Sequence, residues 1–484
     1  MENRLNLSRY CLKEVGSIFL HLDYNANYYG RILLDSLYGD CNFRNEIIWK
    51  RLTYKQTQVK GFGVIHDDIF YYTKSDNYLW ENIRINYDYN QIKKYFCWLE
   101  TPEGKNIKLS KNQIDGNEPL PVGRRFALNP LINLNPDRPN LRYELFGFIR
   151  TWKYSKDKMD EYIKQGKVFQ PSKDSLPQIK QYLDESEGMK LNDLWLDISG
   201  VMGGSNEYQG FETQKPENLL KRIIESTSNE SNLIMDFFLG SGTTTAVAQK
   251  LGRKWIGIEM GDHFWTVVMP RMKKVLFYDK SGISKEKDVK ERYNENKAGG
   301  FFKYQILEQY EDTLDNLEIN TLDNEQMELE FGDKYLLRYF LEYETKANPS
   351  LLNIDKLQSP FSYKLKVNLE EVGEPEEMVV DLPETFNYLL GIKVKKVKVR
   401  NAGRKYLFID GEKDNNEIAI IWREYDAKWE EKDYEEDKKF IREELKEWTP
   451  QVVYINGQSI LTPDFEDFRA DIRSIESEFK RLMG

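Results

Sequence analysis

The chain has 484 residues, 40% hydrophobic and 31% charged, with 30 Tyr, 25 Phe and 10 Trp. That length allows about three domains with a large buried core, and so many aromatics exclude a disordered chain. No apolar run approaches the ~18 residues of a membrane span, and neither a signal-peptide core nor a basic transit segment follows Met1. Cys11, Cys41 and Cys97, in no paired spacing, exclude a disulfide framework and a CxxC zinc site, so a soluble cytoplasmic protein is expected. The net charge of −10 is unevenly spread: residues 1–300 carry a balance of +5 and residues 301–484 one of −15. The first part can meet a polyanion, whereas the last would be repelled by one unless turned away or simply serves solubility.

In chain order, a helix is predicted over Glu2 to Leu12. Short strand-like and helix-like runs follow to residue 89. His21 alternates with apolar residues in a strand and suits a packed or hydrogen-bonded core role. His66 opens the run HDD, whose Asp67 and Asp68 fit either a cap or a functional pair. From 90 to 210 the chain is rich in Asn, Pro, Arg, Lys and Trp, with few periodic elements. That stretch reads as an insertion carrying loops, where function often sits. Residues 278–300, charged and ending in two glycines, read as a linker with a short exposed helix at most. The acidic run 429–448 reads as an exposed charged helix. None of His21, His66 and His263 has a metal-ligand spacing, and no metal is expected.

Residues 213–259 hold the strongest constellation and read as one supersecondary unit. Thr213-Gln214-Lys215-Pro216 precede Leu219, Leu220, Ile223 and Ile224 at helical spacing. Leu233 to Phe238 then read as a buried strand. Gly240-Ser241-Gly242-Thr243 form a tight turn, a helix runs to Leu251 and stops at Gly252, and a second strand ends at Glu259. This is the nucleotide-binding half of a doubly wound fold. Glycines let the backbone approach a ligand, the helix N-terminus offers amides, and an acid about 20 residues on can accept bonds from both ribose hydroxyls. The turn lacks the Lys of a P-loop and the third Gly of the dinucleotide fingerprint. A nucleoside without a pyrophosphate fits better, which points to S-adenosylmethionine.

DFFLGSGTT (236–244), TQKPE (213–217) and AQKLGRKWIGIE (248–259) resemble the cofactor motifs of DNA amino-methyltransferases. GSIFLHLD (16–23), FRNEIIWKR (43–51) and HDDIFYYTK (66–74) are similar to the later motifs of the half that precedes the recognition domain. That order resembles the β class of adenine-N6 enzymes. NPDRPNLRYE (135–144) and WKYSKDKMDEY (152–162) resemble a subgroup of site-specific adenine methylases. GGFFKYQILEQYEDTL (299–314) and EFKRLM (478–483) are similar to the C-terminal domain of type III restriction–modification Mod subunits.

The resemblance implies an α/β protein with a Rossmann-like doubly wound methyltransferase core. Its parts would be the catalytic side (1–89), a DNA target-recognition insert (90–210), the cofactor half (211–277), the linker (278–300) and an acidic α+β C-terminal domain (301–484). It implies S-adenosylmethionine bound by Thr213, Gln214, Lys215, Asp236, Phe238, Gly240, Ser241, Gly242, Thr243 and Glu259. Lys215 and its neighbours would line the methionine end and Glu259 the ribose. Double-stranded DNA is the implied substrate, with Arg124, Arg125, Arg138 and Arg142 as candidate contacts. A restriction subunit and a second copy are implied partners. The departure is the D-P-P-Y-type loop that accepts the target amine: none of the 16 prolines is adjacent to another. The expectation is therefore a core cut short at its N-terminus, with no assignable catalytic residue. A non-catalytic binding remnant and one half of a split enzyme remain as alternatives. The cysteines follow Tyr, Asp and Phe rather than Pro, which argues against a thiolate-dependent cytosine-C5 mechanism.

Overall fold

The computed structural model describes residues 1–52, 61–135, 137–307, 316, 357, 359–367 and 376–483. The chain divides into two units, Met1–Phe301 and Phe302–Gly484.

The first unit opens with α1 (Glu2–Cys11), β1 (Ser17–Leu22), α2 (Asn27–Tyr38), β2 (Phe43–Lys50) and β3 (His66–Thr73). β3 lies between β1 and β2, antiparallel to both, and the short strand Leu194–Trp195 runs parallel to β2 at the edge. Every β3 residue after His66 is buried, as a strand covered on both faces requires. On one face Phe70 and Tyr72 pack with Leu5 of α1 and Leu34 and Tyr38 of α2. On the other, Ile47, Trp49 and Ile69 pack with Trp195, Ile198 and Leu219.

Residues 90–210 hold a sheet of their own. After α3 (Tyr89–Tyr95) come β4 (Trp98–Glu100), β5 (Asn106–Lys108), β6 (Arg124–Pro130), the hairpin β7 (Arg142–Leu145) and β8 (Phe148–Thr151), α4 (Lys156–Lys164), β9 (Val168–Phe169) and β10 (Gln178–Tyr182). The sheet is antiparallel throughout, in the order β9-β10-β6-β4-β5. Leu131, Leu145, Trp152 and Met159 form a separate small core beside it.

The chain then returns through α5 (Glu217–Thr227), β11 (Leu233–Asp236), α6 (Thr243–Lys250), β12 (Lys254–Gly257) and α7 (Met269–Leu276). β11 and β12 are parallel and form a two-stranded sheet that is not hydrogen-bonded to the first one. Leu233 to Phe238 are not buried as expected. Leu233, Met235 and Ile256 alternate on one open face, 56%, 38% and 41% exposed, because the other face alone is covered by packed helix.

The expected linker is folded. Residues 278–300 carry α8 (Lys287–Arg292) and bury Ile283, Val289 and Tyr293. The Tyr293 hydroxyl donates to the Val275 carbonyl at 2.6 Å and accepts from the Asp279 amide at 2.7 Å. Few apolar residues suffice when they share one inward face.

In the second unit, β13 (Lys364–Val367) pairs with β14 (Glu376–Val379), and α9 (Leu382–Leu390) follows. β15 (Lys393–Asn401), β16 (Lys405–Lys413), β17 (Asn416–Arg423), β18 (Val452–Ile455) and β19 (Asp471–Ser474) form a mixed sheet in that order. The β17–β18 and β18–β19 pairs are parallel, and α10 (Glu431–Leu445) makes the first crossover. α10 is not a fully exposed charged helix: Asp437, Ile441 and Leu445 are buried, and the last two pack on Tyr406, Phe408 and Val453. The opposite face holds Phe386 of α9, Trp422, and Phe479 of α11 (Ile475–Met483). Of the GGFFKYQILEQYEDTL stretch, residues 308–314 lie outside the described residues.

Candidate cofactor site

The turn after β11 is built on two left-handed glycines, Gly240 at φ 54° and Gly242 at φ 74°. A side chain at either position would be strained, so glycine is required by the backbone path. Asp236 ties the turn together from its start. Its Oδ1 accepts from the Phe238 amide at 3.0 Å and its Oδ2 from the Thr244 hydroxyl at 2.6 Å. The strand end is thereby fixed to the first turn of α6.

The loop before α5 is fastened to the same turn. Thr243 Oγ1 donates to the Lys215 carbonyl at 3.2 Å and lies 3.0 Å from Ser241 Oγ. Gln214 is buried, its Oε1 accepting from the Gln209 amide at 2.8 Å and its Nε2 donating to the Glu207 carbonyl at 2.6 Å. It therefore shapes the loop. Lys215 Nζ donates to the Thr213 carbonyl at 3.0 Å. Phe238 is 45% exposed, with the Arg4 guanidinium 5.1 Å above its ring.

Glu259 stands at the end of the neighbouring strand and faces the turn. Its Oε2 accepts from the Gly240 amide at 2.7 Å and lies 3.2 Å from His263 Nε2, while its Oε1 accepts from the amides of Met260 at 2.8 Å and Gly261 at 3.0 Å. Burial pushes the carboxyl up, but the three amides outweigh it and hold it below the usual carboxylate range. The His263 ring packs at a tilt against Phe211, 4.9 Å between centroids, and Phe211 in turn lies against Gly240.

A second polar group gathers where β1 and β2 end and β3 begins. Asp67 Oδ2 meets His21 Nε2 at 3.1 Å and its Oδ1 meets Arg51 Nε at 3.1 Å. Burial lowers the His21 pKa, with Lys215 and Arg51 adding to it against the Asp67 contact. Burial raises that of Asp67, but His21, Arg51 and Lys215 win and lower it. Burial also lowers the Lys215 pKa. Asp68 points to the other face, where Asn27 Nδ2 donates to it at 2.5 Å and His66 lies at 3.8 Å. The two acids are therefore separate anchors.

The four candidate arginines of the 90–210 stretch divide. Arg124 is engaged by Asp184 and Glu185, and Arg125 donates to the carbonyls of Phe96 and Ile92. Arg138 and Arg142 are exposed. Sequence reasoning missed Arg271, Lys250 and Asp279, and gave no role to Glu217. All four are buried together behind the glycine turn. The only signal was a cation set among apolar residues in AVAQKL and VVMPRM. Among the described residues no group of three or more metal-ligating side chains occurs, and no helix is long and apolar enough to cross a membrane.

A parallel strand pair, a left-handed glycine turn and an acid just past the second strand make up the candidate cofactor site. Residues 1–270 match the family model described as DNA methylase, and the chain belongs to that family. It is 28% identical over 269 residues to the type II methyltransferase M.EcaI of Enterobacter cloacae, covering 54% of this chain and 53% of the relative. It is 24% identical over 267 residues to the type III restriction-modification enzyme StyLTI Mod subunit of Salmonella typhimurium, covering 52% of this chain and 38% of that one. The chain thus spans about half the length, or less, of these curated relatives. Among solved structures, the M1.HpyAVI–SAM complex is similar at 13% identity and a TM-score of 0.29, over 56% of this chain and 81% of that one.

Proposed function

We propose that this chain binds S-adenosylmethionine and belongs to a cytoplasmic, site-specific DNA adenine-N6 methyltransferase of a restriction–modification system. The observation that carries the reading is the glycine turn with Glu259 directed at it from the adjacent parallel strand. The residues present fit the cofactor by their chemistry. Glu259 is an ionised acceptor within reach of the turn, suited to a ribose diol, and Lys215 borders the same turn, its carbonyl accepting from Thr243 and its Nζ donating to the Thr213 carbonyl. When bound, S-adenosylmethionine supplies an electrophilic sulfonium methyl group. Gly240, Ser241, Gly242 and Thr243 would let it approach the backbone, Asp236 would keep the turn in shape, Gln214 would hold the 213–216 loop, and Phe238 would flank it. The 90–210 insert would meet double-stranded DNA, with Arg138 and Arg142 the freer of the four candidate cations. A restriction subunit and a second copy are the proposed protein partners.

Calorimetry with S-adenosylmethionine and incorporation of labelled methyl into duplex DNA test the reading, the latter measured on the chain alone and with a supplied D-P-P-Y-containing fragment. Saturable cofactor binding and methyl transfer to adenine in either arm are the expected results. Absence of cofactor binding to folded protein would overturn it.

A further inference from the structure

Arg271 of α7 lies outside every motif that identifies the site, yet it touches the glycine turn directly. Its Nη1 donates to the Ser241 carbonyl at 3.2 Å and to Thr243 Oγ1 at 2.8 Å, and its Nη2 donates to Glu217 Oε1 at 3.1 Å. The side chains of Arg271 and Glu217 are only 2% and 1% exposed. Glu217 is held in turn by Lys250 Nζ at 3.0 and 2.8 Å and by the Ile283 amide at 3.1 Å. Lys250 continues to Asp279 Oδ2 at 2.8 Å.

We propose that Arg271 is a positioning residue of the cofactor site, which rests on the cofactor reading above. Its planar guanidinium presents separate donors in a fixed fork, so one nitrogen serves the turn while the other is anchored by Glu217. A turn with two glycines has more alternative backbone states than the same turn built of residues with side chains. Holding the Ser241 carbonyl and the Thr243 hydroxyl from behind removes those alternatives before a ligand arrives. Thr243 passes the constraint on, because its hydroxyl also reaches the Lys215 carbonyl. The glycine turn and the 213–216 loop are therefore set relative to each other by one buried cation. A lysine would supply the charge without the fork.

The test uses the full chain carrying Arg271→Lys, and separately Thr243→Val, which removes the relay hydroxyl while leaving the ion cluster in place. Amide hydrogen exchange is followed at 213–216, 239–244 and across β3, and affinity for S-adenosylmethionine is measured by calorimetry. In Arg271→Lys, exchange should rise at 239–244 and not in β3, saturating cofactor should restore protection, and affinity should fall by about tenfold, the loss expected for one charge-assisted hydrogen bond. In Thr243→Val the rise should extend to 213–216. Wild-type exchange and affinity in both variants would overturn the proposal, as would loosening that spreads equally into β3 in both. If the wild type binds no cofactor while Arg271→Lys still loosens the turn alone, the brace stands and the cofactor reading falls.

Discussion

Replacing Glu259 by glutamine keeps the size of the side chain and removes one acceptor. In the ligand-free protein both carboxylate oxygens already accept backbone amides, from Gly240 on one and from Met260 and Gly261 on the other. Whichever way the carboxamide turns, its NH2 faces an N–H, at a cost of about 1–3 kcal/mol for the group left unpaired. A bound ribose would exchange the Gly240 contact for hydroxyl donors to a charged oxygen, worth about 1.5–3 kcal/mol. Glu259→Gln should therefore weaken S-adenosylmethionine binding by about 10- to 150-fold and also lower the melting temperature without ligand. Calorimetry and thermal unfolding of the same samples separate the two effects. A lowered melting temperature with affinity within about twofold of wild type would refute the ribose assignment and leave Glu259 as a turn anchor only. The pH dependence has a definite sign. The folded carboxyl is held below its ordinary value of 4.5, so its contribution is present above that pH and is lost as pH falls through the lowered value.

Three further outcomes are expected. His21 has a folded pKa below 6.5, so the unfolded chain takes up its proton first; the urea midpoint should drop between about pH 7 and 5, and His21→Gln should flatten that slope. A slope that survives the substitution would remove His21 as its source. Lys250→Ala strips the shared cation from Glu217 and Asp279, both buried, and should destabilise the first unit by about 3–5 kcal/mol in denaturant titration. A loss below about 1 kcal/mol would mean water reaches the cluster. In DNA binding followed by fluorescence anisotropy, Arg142→Ala should reduce the salt slope by about 1, whereas Arg124→Ala, whose cation is engaged by Asp184 and Glu185, should change it little. The reverse ranking would mean that Arg124 leaves its partners on the duplex.

The glycine turn was legible because its constraint is local. Left-handed glycines, an Asp two residues before Phe238 and a terminal acid are all set by spacing along one βαβ segment. The partners of Glu217, Lys250 and Arg271 were not legible, because they meet from α5, α6 and α7 and no periodicity marks which helical cation turns inward. The folded state of 278–300 was hidden for a related reason. Hydropathy averages over a segment, while Ile283, Val289 and Tyr293 act through a single face. The opposite error arose at Leu233 to Phe238, where an apolar run predicted burial and the structure leaves one face of β11 open.

Both units place an ionic cluster where several elements must hold one register. In the second unit Arg423, fully buried, donates to the Asn456 and Gln458 carbonyls and meets Asp437, which also accepts from the Tyr406 hydroxyl. Such clusters add little net stability over an apolar core of the same volume, since desolvation offsets their attraction. What they supply is geometry, because a misplaced helix leaves a buried charge unpaired at a cost of several kcal/mol. Around Arg423 the registered elements are β17, α10 and the end of β18. Around Glu217 they are α5, α6, α7 and the start of 278–300, the elements that deliver the glycine turn and the TQKP loop. Substituting Glu217, Lys250 and Arg271 by apolar residues and Asp279 by asparagine, so that no buried charge loses its partner, should therefore leave the unit folded by thermal melt and yet loosen the turn in hydrogen exchange. Retention of a rigid turn in that quadruple variant would show that the glycines and Asp236 suffice by themselves.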